Sequence, residues 1–292
     1  MTKILVTGAT GNIGRKTLQY LLNRKPASEL IGLARHPEKA ADLAADGIEI
    51  RQGDYNDLDS LVRAFSGVEK VMLVSATAFS DRNTQHANVV KAARLAGVRH
   101  IVYMPIIRKD GSQFVLPHVT AEDIFAQEAI KASGLDYTFV GHPPFLESIG
   151  LYIGGKVFET GVHSTSGEGK ARFAGHDDLA EAHAVVLSEP GHENKTYLLH
   201  GGPAVSFADI AQILSEMTDK PVPYFAVADQ DFVDNKTAAG LSEPAAHFVL
   251  AWVHGINAGA WDGASDHLEN LLGRKPTTVA EFMRASFLTG QA

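Results

Sequence analysis

The chain has no cysteine among its 292 residues. That excludes a disulfide, a thiolate nucleophile and a zinc site built on sulfur, and it fits a reducing, cytoplasmic setting. No run of 18 apolar residues occurs, so no membrane span is expected. The apolar run behind Met1-Thr2-Lys3 is only Ile4-Leu5-Val6, too short for the core of a secretory leader. Positive charge is scarce: 26 Lys and Arg stand against 34 Asp and Glu, a net charge of −8. That balance disfavours a nucleic-acid partner, which needs a basic face. The Gly-x-Ser-x-Gly elbow of serine hydrolases is missing. Thirteen histidines are present but scattered, and His176 with His183 is not a recognised ligand spacing, so no metal is expected. There is also no internal repeat, low-complexity segment or flexible linker.

What is there is an alternation. Short β-branched runs at Lys3–Thr7, Leu30–Ala34, Glu49–Gln52, Lys70–Val74, His100–Met104 and Tyr137–Val140 read as strands. Helical patterns fill the gaps near Ile13–Leu22, Pro37–Ala45, Leu58–Phe65, Thr84–Ala96 and Ala121–Ser133. Ile4-Leu5-Val6 and Val71-Met72-Leu73-Val74 are apolar throughout, as strands covered on both faces must be. The expected fold is therefore α/β, a doubly wound parallel sheet of Rossmann type. Gly97 and Gly134 each follow a helical run and read as C′ glycines.

After Gly141 the pattern changes. His142-Pro143-Pro144-Phe145 cannot continue a central strand, because proline has no N–H for the ladder. Gly154–Gly175 reads as loops with short strands, Asp177 as the acidic N-cap of the next helix, and Lys195–His200 as a strand. Ser206 and Asp209 form a capping-box pattern ahead of Ile210–Met217. The expected organisation is a dinucleotide-binding domain over residues 1–150. A smaller C-terminal α+β substrate lobe over 151–292 is partly interleaved with it.

The glycines of Gly8-Ala9-Thr10-Gly11-Asn12-Ile13-Gly14 follow the first strand and open the first helix. Glycine is needed there for a tight turn, for close approach to a pyrophosphate and for helix–strand packing. The helix N-terminus offers free N–H groups to phosphate oxygens. The spacing is G-x-x-G-x-x-G rather than G-x-G-x-x-G. At the end of the second strand, where NAD sites carry a carboxylate for the ribose 2′-hydroxyl, this chain has Ala34-Arg35-His36, with Lys39 close behind. An arginine there suits the 2′-phosphate of NADP(H). Asp54 and Tyr55 are placed to flank the adenine.

These segments, together with Gln85-His86-Ala87-Asn88-Val89-Val90-Lys91-Ala92-Ala93, Leu135-Asp136-Tyr137-Thr138-Phe139-Val140, Gly191–Tyr197 and Phe207–Leu214, resemble the NmrA-like branch of the atypical short-chain dehydrogenases over nearly the whole chain. Its NADPH-dependent quinone oxidoreductases and triphenylmethane reductases are the nearest in pattern. The resemblance implies hydride transfer from NADPH to a quinone or similar electrophile, without flavin or metal. It implies that Gly8, Thr10, Gly11, Asn12, Ile13 and Gly14 hold the pyrophosphate and Arg35 the 2′-phosphate. Ser75, Ala76 and Thr77 would then pass beside the nicotinamide ribose.

The departures fall on the catalytic positions. Asp123 stands where many members carry lysine or histidine, Gln127 replaces a glutamate, Gly141 replaces an arginine, and no Tyr-x-x-x-Lys follows the fifth strand. The remaining candidates for proton transfer or oxyanion stabilisation are His118, Tyr103 and Asp123. Phe79, His142, Pro143 and Phe145 are candidates for the substrate wall, with the two phenylalanines able to stack on an aromatic ring. The expected function is an NADPH-dependent oxidoreductase acting as a monomer or homodimer on a quinone, enone or aromatic ketone. The alternatives are a non-catalytic NADP(H) sensor of NmrA type and a biosynthetic carbonyl reductase or epimerase.

Overall fold

The structure, a computed structural model, describes residues 2–288. The chain runs through β1 (Ile4–Val6), α1 (Asn12–Leu22), β2 (Leu30–Ala34), α2 (Ala41–Ala45), β3 (Glu49–Gln52), α3 (Leu58–Ala64), β4 (Lys70–Leu73), α4 (Arg82–Leu95), β5 (His100–Tyr103), α5 (Thr120–Ala132) and β6 (Asp136–Gly141). It continues through α6 (Ile149–Ile153), α7 (Val157–Thr160), β7 (Val162–Thr165), α8 (His176–Ser188), β8 (Lys195–Leu198), α9 (Phe207–Thr218), β9 (Tyr224–Val227), α10 (Asp229–Ala238), α11 (Glu243–Asn257), α12 (His267–Leu272) and α13 (Val279–Leu288).

Seven parallel strands form one sheet in the order β3-β2-β1-β4-β5-β6-β8. Strand order reverses between β1 and β4, so a crevice opens at their carboxyl ends, the place where doubly wound sheets hold ligands. One face packs Leu61, Val89, Ala126 and Ile130 of α3, α4 and α5 against the sheet. The other packs Leu18, Leu21, Leu179 and Leu268 of α1, α8 and α12. A third core gathers α6, α9, α10 and α11 around the two-stranded β7–β9 sheet, with Trp261 and Phe207 fully buried. The second half of the chain is thus interleaved with the first. Its α8 lies beside α1, and β8 extends the main sheet beyond β6.

Local chemistry explains most boundaries. Gly97 and Gly134 end α4 and α5 with φ of +74° and +78°, as C′ glycines do. Ser206 and Asp209 form the reciprocal capping box of α9. Two local expectations are corrected. The N-cap of α8 is Gly175, not Asp177, because Glu147 reaches over and accepts the His176 N–H at 2.8 Å. The 154–175 stretch holds a short helix, α7, as well as a strand, since Gly154 and Gly161 (φ +91° and +82°) bracket one helical turn.

Candidate active site

Gly8 turns the chain out of β1 with φ +60°, and its carbonyl accepts the Gly11 N–H at 2.9 Å. Gly11 is the N-cap of α1 and has no side chain to satisfy the first-turn N–H groups, so those donors face outward. A Cβ on Gly14 would stand 2.4 Å from the Gly8 carbonyl oxygen, so only glycine lets α1 seat this close to β1. Above this turn lies a cleft of about 280 Å³ lined by Gly8, Thr10, Gly11, Arg35, Asp54, Tyr55, Ser75, Ala76 and Thr77, among others. Asn12, Ile13 and Gly14, in the first turn of α1, are not part of its lining; Asn12 is exposed, and Ile13 and Gly14 are buried.

Arg35 is exposed at one end of the cleft, and no carboxylate among the described residues pairs with its guanidinium. The Tyr55 hydroxyl points inward, within hydrogen-bond distance of Thr7 Oγ1 and 2.8 Å from the Val74 carbonyl, and burial pushes its pKa up. Asp54 accepts the Asn56 N–H at 2.9 Å, while Asp57 is the residue that caps α3.

At the other end, two loops meet: 74–81 after β4 and 104–119 after β5. The Ala76 N–H donates to His86 Nε2 at 3.1 Å, and the Ala76 carbonyl accepts from Arg82 Nη1 at 2.7 Å. Ser75 Oγ donates to the Met104 carbonyl at 2.9 Å. Arg82 is also ion-paired with Asp123, both buried. Asp123 further accepts from the Tyr103 hydroxyl and the Ile106 N–H, each at 2.7 Å. Burial raises the Asp123 pKa, with the Arg82 charge and the three donors pulling against it. The Arg82, Tyr103 and Ile106 donors all converge on this carboxylate. Tyr103 and Asp123 therefore do not open on the cleft as free acid or base. Their polar atoms are spent on each other, because an acid on the inward stripe of α5 requires compensation.

The structure does bring His118 and Phe79 together. Phe79 is 58% exposed, and its ring centroid lies 5.2 Å from that of His118 and 5.3 Å from that of Phe248 on α11. His118 is exposed on its loop with φ +60°, a left-handed conformation that costs a non-glycine residue of order 1–3 kcal/mol. Phe248 leads back to Trp252 and then to Trp261. His142 and Pro143 do not line the cleft. His142 is buried, with its Nε2 2.8 Å from Nε2 of His183, and burial drives both pKa values down, that of His183 to about 3. Phe145 is half-buried between His142 and His176. A separate cavity of about 640 Å³ lies under the 105–116 segment, walled by Ile107, Phe114, Gln127, Leu198 and Trp261.

Sequence reasoning missed Arg82 and Gln85, and it reads Phe248 only as part of the apolar stretch Ala246–Val253, either lobe core or a wall of the substrate pocket. One signal was available for Arg82. Thr120, Asp123, Ala126 and Ile130 share the buried side of α5, and an acid on that stripe needs a cation from elsewhere.

A family model described as NAD(P)H-binding matches residues 8–190. The chain is 35% identical to quinone oxidoreductase 2 of Escherichia coli, over 95% of this chain and 96% of that protein. It is 29% identical to an NAD(P)H azoreductase of Xenophilus azovorans, over 97% of each. Its fold superposes on Citrobacter sp. triphenylmethane reductase complexed with NADP(H), with a TM-score of 0.90 and 34% identity, covering 97% of this chain and 99% of that one. The chain belongs to the NAD(P)H-binding family, in its NmrA-like short-chain dehydrogenase/reductase branch.

Proposed function

We propose that this chain is an NADPH-dependent reductase that passes hydride to a planar conjugated small molecule, a quinone, enone or aromatic ketone. The observation that carries the reading is the uncapped start of α1 at the strand-order reversal, with the unpaired Arg35 at the far end of the same cleft. Such a site fits a dinucleotide: outward N–H groups and a positive helix end for the pyrophosphate, and a two-pronged cation for a 2′-phosphate. Gly8, Thr10, Gly11, Asn12, Ile13 and Gly14 hold the pyrophosphate by this reading. Arg35, with Lys39 behind it, favours NADP(H) over NAD(H), Asp54 and Tyr55 border the adenine, and Ser75, Ala76 and Thr77 border the nicotinamide ribose.

Bound NADPH supplies the hydride. The residues around it seat the acceptor and exclude water. Phe79, His118 and Phe248 present ring faces and edges to a flat aromatic molecule. His118, exposed on its loop, is the one candidate acid left outside the buried network. A quinone asks little of it, because the reduced product is a stabilised phenolate that water can protonate. Residues 1–150 serve the cofactor and the lobe within 151–292 contributes Phe248 to the substrate wall.

The test is to mix the protein with NADPH and a panel of quinones, enones and triphenylmethane dyes and follow nicotinamide absorbance. Loss of absorbance with at least one acceptor is expected. Tight binding of both NADPH and NADP⁺ with no turnover on any acceptor would replace this reading with the sensor function.

A further inference from the structure

We propose that Arg82 and Asp123 are a positioning pair that locks the two loops bordering the nicotinamide end of the cleft into a single seat. The proposal rests on the NADPH reading above. The pair bridges the β4–α4 and β5–α5 connections from the first turn of one helix and the first turn of another. Arg82 holds the Ala76 carbonyl with one guanidinium nitrogen and Asp123 with the other. Asp123 holds the Ile106 N–H with its second oxygen. The chain of contacts Ala76–Arg82–Asp123–Ile106 therefore ties the cleft wall at Ala76 to the neighbouring 104–119 loop at Ile106, which walls the separate cavity, through two side chains alone.

Three features separate this from a buried ion pair that merely fills the core. First, its outer partners are loop backbone atoms, and one of them belongs to a residue lining the cleft. Second, the same residue is pegged through its other backbone polar group, since the Ala76 N–H is held by His86. Neither polar group of Ala76 is left to adjust to a ligand. Third, the arrangement needs a two-pronged cation. A lysine carries one point charge and cannot span the Ala76 carbonyl and the Asp123 carboxylate in fixed geometry. Two charges taken out of water cost free energy that an apolar pair of equal volume would not. Retaining them is explained by what they position.

The experiment compares the unaltered chain with Arg82→Lys and with the apolar double variant Arg82→Met/Asp123→Leu. Three quantities are read: melting temperature, binding of 2′,5′-ADP, which reports the adenosine end of the cleft and not the nicotinamide end, and single-turnover hydride transfer from NADPH to a 1,4-naphthoquinone. Transfer is repeated with (4R)- and (4S)-deuterated NADPH. Arg82→Lys is expected to bind 2′,5′-ADP within about twofold of the parent and to slow transfer by about tenfold to a hundredfold, the scale of a misplaced reacting group. The double variant is expected to melt near the parent temperature, remain slow, and draw deuterium from both faces where the parent draws from one. Parental rate and face selectivity in Arg82→Lys, or their recovery together with stability in the double variant, would overturn the proposal. No NADPH binding by the unaltered chain would remove the functional reading itself. Normal binding with an unaffected Arg82→Lys removes this proposal alone.

Discussion

Arg35 stands exposed at the end of β2 with no carboxylate partner among the described residues, while Arg15 of α1 is already paired with Asp42. A guanidinium left free at a cleft end is a specificity device only if something separates two ligands by a charge. NADPH and NADH differ there by one phosphate. Arg35→Ala should weaken NADPH binding by about 1.5–3 kcal/mol, the range for hydrogen bonds to charged groups, and leave NADH nearly unchanged. Isothermal calorimetry with both dinucleotides checks this, and equal losses would remove the argument for NADP preference. Phe248 makes the complementary case for the acceptor. Its ring is half-buried against Phe79, so Phe248→Ala should raise the KM for a naphthoquinone by about tenfold, the upper end of an aromatic pair's worth of roughly 0.5–1.5 kcal/mol. NADPH affinity should not move, and steady-state kinetics with each substrate varied in turn would expose a change in the wrong one.

Elements are placed by contacts that tolerate no extra atom. A methyl on Gly14 would meet the carbonyl oxygens of Gly8 at 2.4 Å and Thr7 at 2.7 Å, both backbone. Backbone cannot rotate aside, so Gly14→Ala must lift α1 from β1. A loss of at least about 1–3 kcal/mol is expected from overpacking, together with loss of dinucleotide binding. Gly150 in α6 is the control: nothing lies within 4 Å of its added Cβ, and Gly150→Ala should stabilise by about 0.5–1 kcal/mol. Urea titrations of both variants against the parent settle the contrast, and Gly14→Ala with unchanged stability would contradict this account of the turn. At this scale the sequence was largely legible. Strand β2 carries the expected limits because its apolar run ends at Arg35, and β3 carries them because Gly53 follows its last residue. Gly97, Gly134 and the Ser206–Asp209 box are local signals with local causes. The start of α8 was not legible, since its first N–H is met by Glu147, 29 residues earlier. Nor was the fate of Tyr103 and Asp123. Their position at a strand end and a helix start suggested exposure, and only the arrival of Arg82 from 41 residues away buries them together.

At the scale of the molecule, five of the scattered histidines form a store of uncharged groups in the core. His86, His100, His142, His183 and His200 are all buried, and desolvation lowers each: His86 and His183 to about 3, His100 and His200 to about 4, and His142 well below its usual value. Their hydrogen bonds agree with the neutral form. His86 Nε2 accepts the Ala76 N–H and cannot carry a proton without releasing it. His142 and His183 face each other Nε2 to Nε2, so only one of those two nitrogens can bear hydrogen. The unfolded chain has no such restriction and titrates near the ordinary 6.5. Between that value and the folded values the unfolded state binds more protons, so stability falls as pH falls. Each histidine contributes up to about 1.4 kcal/mol per pH unit in that window. Five of them acting together from pH 7.5 to 5.5 remove at most about 7 kcal/mol, against a total of about 5–15 kcal/mol for a native protein. The carboxylates lowered in the fold, such as Glu49 and Asp209, lose their share only below the ordinary carboxylate range, which leaves the window from 6.5 to 5 to the histidines. Calorimetric unfolding across pH 5–8 should therefore show a melting temperature that drops steeply below 6.5, with about five protons taken up per molecule near pH 5. His100→Gln, which can still donate toward Thr138, should reduce that uptake by about one. A melting temperature flat from pH 7.5 to 5.5 would show that these side chains are charged or hydrated in the native molecule, and the buried arrangement around His86 and Ala76 would have to be abandoned with it.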